Sequence, residues 1–439
     1  MKQFLIILIT VFASCTTLCA QALYTLEKCI SIGLERNYSI RIVKNDEQIS
    51  SNNATLGNAG YLPTVDLSGG FNGTQYSYNY NYTDGTSETI KNINNETANA
   101  GINMNWTIFD GFGIQADYNK LKELQLMGHI NTRIAIENLT ANIAAEYYNL
   151  IRQRIRMNNL RYALSLSRER LRIVEVNYVI GSMSRLELQQ ARVYLNADSA
   201  RLITQNETVK ASLIRLNELM GLDSFSEEIF VRDTIPLNTS LIESDLREKT
   251  FSTNLFLLAS QKNRTISELD YQKIRSRNYP YLRLNAGYGY TGNWYETGTT
   301  ELQHRIGFNY GLTVGLTLFN GMNRQREQRN ARIQIQNSEL RLQNLELELK
   351  ADLANLWMAY RNNLELLDME KQNLVDAHAN FDIAMERYKS DQLAGIDLRE
   401  AQNNLLEAEE RQSIAQYNTK LCEISLLQLS GQILTYLSE

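Results

Sequence analysis

Proline is nearly absent: three residues in 439, where globular chains use about 5%. Pro63 and Pro280 each precede a strand-like stretch and Pro236 lies midway, so the rest of the chain is free of the residue that breaks long helices. Histidine is as scarce. His129, His304 and His378 stand alone, with no Cys or His at ligand spacing, which excludes a zinc-type site. No nucleophile elbow or phosphate loop is present, so no enzyme and no cofactor is expected. The formal charge is −5 with no basic stripe, which excludes nucleic acid as a partner. Cysteine numbers four, two of them within the first 22 residues. Cys29 and Cys422 remain, near opposite ends, and read as two small buried thiols, with a disulfide as the alternative.

What is present begins with an export signal. Lys2 supplies charge, residues 4–13 an apolar core, and Ala20-Gln21-Ala22 a cleavage site, so residues 1–22 are expected to be removed. Lipid attachment at Cys15 is the alternative.

The chain is then duplicated. Ile102-Asn-Met-Asn-Trp106-Thr-Ile-Phe109-Asp110-Gly111 returns 210 residues later as Leu312-Thr-Val-Gly-Leu316-Thr-Leu-Phe319-Asn320-Gly321. The same offset pairs Tyr178 with Tyr388, Ala191 with Ala401, Leu219 with Leu429 and Gly221 with Gly431, a repeat and not a coincidence. Repeat 1 is read as 23–222. It holds one helix over about 24–59 capped by Thr25, strands at about 64–74 and 99–109, a long helix at about 111–178, a tip, and a helix at about 186–220. Residues 74–98, rich in Tyr, Asn, Thr and Gly, read as a polar hairpin loop with Asp84-Gly85 near its tip. After a linker at 223–238, repeat 2 (239–433) has a helix at about 240–277, strands at about 281–291 and 306–319, a long helix at about 321–388, a tip, and a helix at about 396–432. A short tail, 434–439, follows.

Each long helix is about 67 residues, or about 100 Å, against about 10–14 residues in ordinary globular proteins. Leu342, Leu345, Leu349, Leu353, Leu356, Tyr360, Leu364 and Leu367 recur at intervals of three and four, a coiled-coil seam. The strands alternate apolar and polar residues; Ile306, Phe308, Tyr310, Leu312, Val314, Leu316 and Leu318 form the clearest apolar row. Such strands suit an outer membrane, with lipid against the apolar row. Four cannot close a barrel and open edges are not tolerated in lipid, so several chains are expected to share one. A soluble sheet packed on the helices is the alternative. Tyr76, Tyr78, Tyr80, Tyr82, Tyr288, Tyr290, Trp294 and Tyr295 are candidates for an interfacial girdle.

Export signal, duplication, strand pairs ending in Phe-Asp-Gly or Phe-Asn-Gly at Asp110, Gly111, Asn320 and Gly321, and very long hairpin helices together resemble the TolC-type outer-membrane efflux proteins. The resemblance covers residues 23 to 433. It implies a mainly α fold with a β-barrel contribution: a homotrimer whose twelve-stranded outer-membrane barrel continues as a periplasmic α-helical tunnel. It implies a passive exit duct for efflux or secretion, served by an inner-membrane pump and a periplasmic adaptor (membrane fusion) protein. A pore-less periplasmic scaffold and a stand-alone porin are the competing readings.

The family's helix-turn-helix tips match at Tyr178-Val-Ile-Gly181-Ser182-Met-Ser-Arg-Leu186-Glu187-Leu-Gln-Gln190-Ala191 and at Tyr388-Lys-Ser-Asp391-Gln-Leu393-Ala-Gly-Ile-Asp397-Leu-Arg-Glu400-Ala401. By resemblance, Asp397 and Glu400 ring the closed entrance, with Tyr388, Glu187 and Gln190 beside them. Tyr178, Gly181, Ser182, Leu186, Ala191, Leu393 and Ala401 belong to the surface an adaptor docks on. The family's arginine beside its gate is replaced here by Leu393, and its long C-terminal tail is missing. The residues alone leave a second reading of Asp397 and Glu400, as acids favoured in a first helical turn.

Overall fold

Helices with an apolar seam bury it among themselves, while the strands, apolar on one face, leave that face uncovered within the single chain. The computed structural model describes residues 24–223, 231–232, 234–390 and 392–434. The export signal, Cys15, Asp391, part of the linker and most of the tail lie outside them. The chain divides into two compact units, one of residues 1–45, 130–258 and 343–439, the other of residues 46–129 and 259–342.

The second unit holds the sheet. Strands β1 (Thr64–Asn81), β2 (Ser87–Phe109), β3 (Tyr281–Tyr295) and β4 (Leu302–Gly315) form one antiparallel sheet in the order β1-β2-β3-β4. Paired residues share a face. The register Leu67↔Ile102↔Tyr288↔Phe308 therefore collects the apolar residues of all four strands on one side. That side is bare: Leu67 is 81% and Tyr310 80% exposed.

Three expectations are corrected here. Residues 74–98 are not a loop. Both strands continue through them to a turn at Asp84-Gly85, where Asp84 Oδ1 accepts from the Thr86 N–H (3.0 Å) and Gly85 takes φ 90°. Alternating Tyr favours extended chain, and the rings of Tyr76, Tyr78, Tyr80 and Tyr82 form a row with centroids 4.8 Å (edge-to-face), 5.3 Å (tilted) and 6.1 Å (stacked) apart. The girdle also splits. Tyr288, Tyr290 and Trp294 lie on the apolar side, but even-numbered β1 residues and Tyr295 lie on the other, because Phe71↔Ala98 and Leu67↔Ile102 place the odd β1 residues with the apolar row. Last, β4 ends at Gly315, opposite Tyr281, the first residue of β3 after Pro280. Leu316, Leu318 and Phe319 have no partner strand and leave the ladder.

Both strand pairs turn into helices by one device. Gly111 (φ 74°) and Phe112 (φ 72°) are both left-handed, and so are Gly321 (φ 66°) and Met322 (φ 59°). A Cβ at Gly111 would come within 2.3 Å of the Ser276 carbonyl oxygen. Asp110 Oδ1 accepts from the Ile114 N–H at 3.0 Å, and Asn320 Oδ1 from the Arg324 N–H at 3.4 Å.

Before the sheet come α1 (Leu26–Arg36), α2 (Tyr38–Asn53) and α3 (Leu56–Ala59). After it run α4 (Gly113–Val179) and α5 (Arg185–Met220), then α6 (Glu243–Thr253), α7 (Leu255–Ser276), α8 (Asn323–Lys389) and α9 (Gly395–Leu429). Helices α4 and α8 have 67 residues each and begin and end 210 positions apart. In the first unit Ile30, Ile143, Leu150, Ile151, Leu216 and Met220 are fully buried in one cluster, and the seam of α8 is buried or half-buried from Leu349 to Leu367. Cys29 and Cys422 are free thiols, and burial pushes Cys29 up to about 12.

The single helices expected over 24–59 and 240–277 are broken, at Asn37 (and again near Thr55) and at Asn254. The cause is the same asparagine geometry twice. Asn37 Oδ1 accepts from the Ser39 and Ile40 N–H groups while its Nδ2 donates to the Leu219 carbonyl (2.9 Å). Asn254 Oδ1 accepts from Phe256 and Leu257, and its Nδ2 donates to the Leu429 carbonyl (2.9 Å). Leu219 and Leu429 are duplicates, and each is followed by a left-handed glycine, Gly221 (φ 69°) or Gly431 (φ 66°).

Candidate functional site

Each tip is a tight reversal whose shape follows from local chemistry. At the first, α4 ends at Val179 and Gly181 takes φ 80°. The Ser182 and Met183 N–H groups both donate to the Asn177 carbonyl. Helix α5 then opens with a complete capping box: the Glu187 N–H donates to Ser184 Oγ (3.3 Å) and the Ser184 N–H to Glu187 Oε2 (2.6 Å). The Glu187 carboxylate is thus engaged on its own backbone. Gln190 is exposed.

At the second tip the cap residue is Ala394, with no side-chain cap. Asp397 holds the position equivalent to Glu187, and its N–H donates to the Ala394 carbonyl (3.1 Å). Asp397 and Glu400 are both exposed and, as i and i+3, share one helix face. Among the described residues neither carboxylate makes an ion pair. The opposite face of α9 buries Leu398, Arg399, Ala401, Gln402 and Leu405.

Of the other expected site residues, Tyr388 is not on the face of Asp397 and Glu400. Its ring is buried with Phe381, Ala384, Leu398 and Ala401. Ala191 and Ala401 are buried as well, where small residues let helices approach. Tyr178, Gly181, Ser182 and Leu186 are exposed, and Leu393 is half-buried against the second-tip cluster.

Sequence reasoning missed the polar centre behind the second tip. Arg399, 5% exposed, grips Asp198, 1% exposed, with two parallel hydrogen bonds of 2.6 and 2.7 Å. Ser167 Oγ also donates to Asp198, Arg399 donates to Gln402 Oε1 (3.2 Å), and Gln402 Nε2 donates to the Ala163 carbonyl (3.1 Å). The Arg399 guanidinium lies 5.1 Å from the centre of the Tyr194 ring. Burial opposes the Asp198 charge, but the hydrogen bonds from Arg399 and Ser167 outweigh it and hold the carboxyl below the ordinary aspartate range. The signal for this centre lay in the spacing of α5. Leu188, Ala191, Leu195, Asp198, Leu202, Gln205, Val209, Ser212 and Leu216 alternate by three and four, and three of these seam positions are polar.

Further along α9, burial pushes Glu409 up to about 7, and His378 Nε2 stands 4.0 Å from its carboxylate. His129 pairs with Glu47 (2.5 Å), and His304 Nδ1 bonds the Tyr290 hydroxyl (2.6 Å). No metal-binding group is found among the described residues. No described helix is long and apolar enough to cross a membrane.

The family described as outer membrane efflux protein matches residues 29–222 and 247–432. The proteases secretion protein PrtF of Dickeya chrysanthemi is 21% identical over 332 residues, covering 71% of this chain and 69% of that protein. Among solved structures, a membrane protein from Pseudomonas aeruginosa superposes with a TM-score of 0.77 at 14% identity, covering 92% of this chain and 93% of that one. The Campylobacter jejuni CmeC outer membrane channel gives a TM-score of 0.76 at 17% identity over 93% and 85% of the two chains. These likenesses establish a common fold.

Proposed function

The chain belongs to the outer membrane efflux protein family, and from that premise we propose that three copies assemble the exit duct of a tripartite export machine. As a member it is an outer-membrane channel of efflux or secretion systems, and not an enzyme. The observation that carries the assembly is the sheet: among the described residues, four strands, one apolar face bare, and β1 and β4 without outer partners. In lipid such edges must be paired, and three copies supply twelve strands in one closed barrel. The polar face then lines the pore.

In this reading the helical hairpins continue the pore through the periplasm. Asp397 and Glu400 of three chains place six carboxylates around the axis, a ring that favours cations. The exposed tip residues Tyr178, Gly181, Ser182 and Leu186 meet a periplasmic adaptor, which links the duct to an inner-membrane pump. Energy comes from that pump, since transport here is passive. The relatedness to a proteases secretion protein supports protein export as one cargo class, and the CmeC-like fold suits efflux equally. A signal peptide cleaved after Ala22, rather than a lipid on Cys15, fits a chain whose first helix among the described residues starts at Leu26.

Native mass spectrometry of the protein in detergent tests the assembly. Trimers are the expected result, and stable monomers as the sole species would contradict it.

A further inference from the structure

We propose that the buried Arg399–Asp198 pair is a positioning pair, which sets the rotation of α9 so that Asp397 and Glu400 face outward into the constriction. This rests on the reading of those two acids as the constriction.

Arg399 lies between the two acids in sequence and on the opposite side of the helix, buried where they are exposed. Its guanidinium is held in a fork to Asp198 on α5, and through Ser167 and Gln402 the same cluster reaches α4. A planar fork accepts few orientations, so α9 can hardly turn about its axis without breaking both bonds. Apolar seam residues restrict the helix by knobs-into-holes packing but make no directional bonds.

Stability alone does not explain the pair. A buried ion pair is often no more stable than apolar residues of similar volume, and single polar residues in a coiled-coil seam are best attested as setters of register. The duplication sharpens the point. The counterpart of Arg399 in repeat 1 is Gln189, which is exposed, and the counterpart of Asp198 in repeat 2 is Ala408, which is buried. The first tip, whose acid at Glu187 is taken up by the capping box, has no such pair. The pair occurs only behind the tip whose acids are free.

The test replaces both partners with apolar residues of like size, Asp198→Leu with Arg399→Met, in the full-length protein. Two properties are read: polyvalent-cation block in single-channel recordings, and distances between spin labels placed at Glu400→Cys of the three chains. The expected result is a trimer with weakened block and a broadened distance distribution. Unchanged block and an unchanged distribution would overturn the proposal. Should the double variant not assemble, Arg399→Lys keeps the charge and loses the fork. It is expected to assemble and to broaden the distances, and a wild-type distribution would overturn the proposal equally. Asp397→Ala with Glu400→Ala in an otherwise intact chain separates the two readings. If that variant conducts and is blocked like wild type, the constriction reading has failed, and the positioning pair is judged by the label distances alone.

Discussion

The two tips descend from one duplicated segment, yet they use their acids in opposite ways. Glu187 and Asp397 stand at the same helical position, three residues after the cap. At the first tip the cap is Ser184 and the carboxylate turns back onto the backbone. At the second the cap is Ala394, which has no side-chain acceptor, and the Asp397 side chain is exposed. Two differences, Ser184 against Ala394 at the cap and Glu187 against the shorter Asp397 three residues on, separate an acid held as a local fastener from one left as a free charge. Duplication preserves the left-handed glycine pairs Gly111 and Gly321, Gly221 and Gly431, and the asparagine breaks, while side chains facing the solvent or the seam diverge.

The largest effect expected from breaking this contrast is at Asp198. Asp198→Leu alone leaves Arg399 buried and unpaired, at a cost of about 3–5 kcal/mol. Its counterpart change, Ala408→Leu, tests packing only. Denaturant titration of the detergent-solubilised protein checks the difference in midpoint. Next come the features the repeats share. Asn37→Ala and Asn254→Ala each leave a helix start uncapped and a leucine carbonyl unpaired, with an expected loss of about 1–3 kcal/mol each. Unequal losses, read by hydrogen exchange at the two breaks, would show that the geometry is duplicated but its energetic role is not.

Smaller still is the cap itself. Ser184→Ala is expected to lose about 1 kcal/mol and Ala394→Ser to gain a comparable amount, measured as shifts in thermal midpoint. A serine at Ala394 would accept from the Asp397 N–H, as Ser184 does from that of Glu187, and would leave the Asp397 carboxylate in solvent. The smallest effect is conditional on pH. Glu409, whose counterpart in repeat 1 is Ser199, titrates near 7 in the folded chain because of burial. The folded state holds its proton more tightly than the unfolded one, so this stabilisation is full below about pH 4.5 and is lost as pH rises through 7. Glu409→Gln is expected to be neutral at pH 4 and to raise the midpoint above pH 7. An equal shift at both pH values would remove the titration argument.

Much of this architecture was legible because it rests on repeated local signals. The ends of α4 and α8 are marked by Gly111, Gly181 and Gly321, and the apolar row of β4 alternates without interruption from Ile306 to Val314. Other parts were hidden for physical reasons. Asn37 and Asn254 look like surface residues in a helix pattern, since the carbonyls they satisfy lie far along the chain. The outer half of the β1–β2 hairpin is as polar as a loop, and only its register shows that Tyr76 to Tyr82 lie on the polar side. The capping motif Ser184-x-x-Glu187 was readable, but the resemblance drew attention to Glu187 as a constriction residue instead. Arg399 and Asp198 could not be paired from sequence, because nothing local joins charges on different helices.

The most direct measurement is a side-by-side single-channel recording of two double variants, Asp397→Ala with Glu400→Ala, and Glu187→Ala with Gln190→Ala. The first is predicted to lose the block by polyvalent cations and to weaken cation preference. The second is predicted to conduct like wild type, since the first-tip acid is spent on its own helix. Equal behaviour of the two variants, or loss of block in the second alone, would contradict the account.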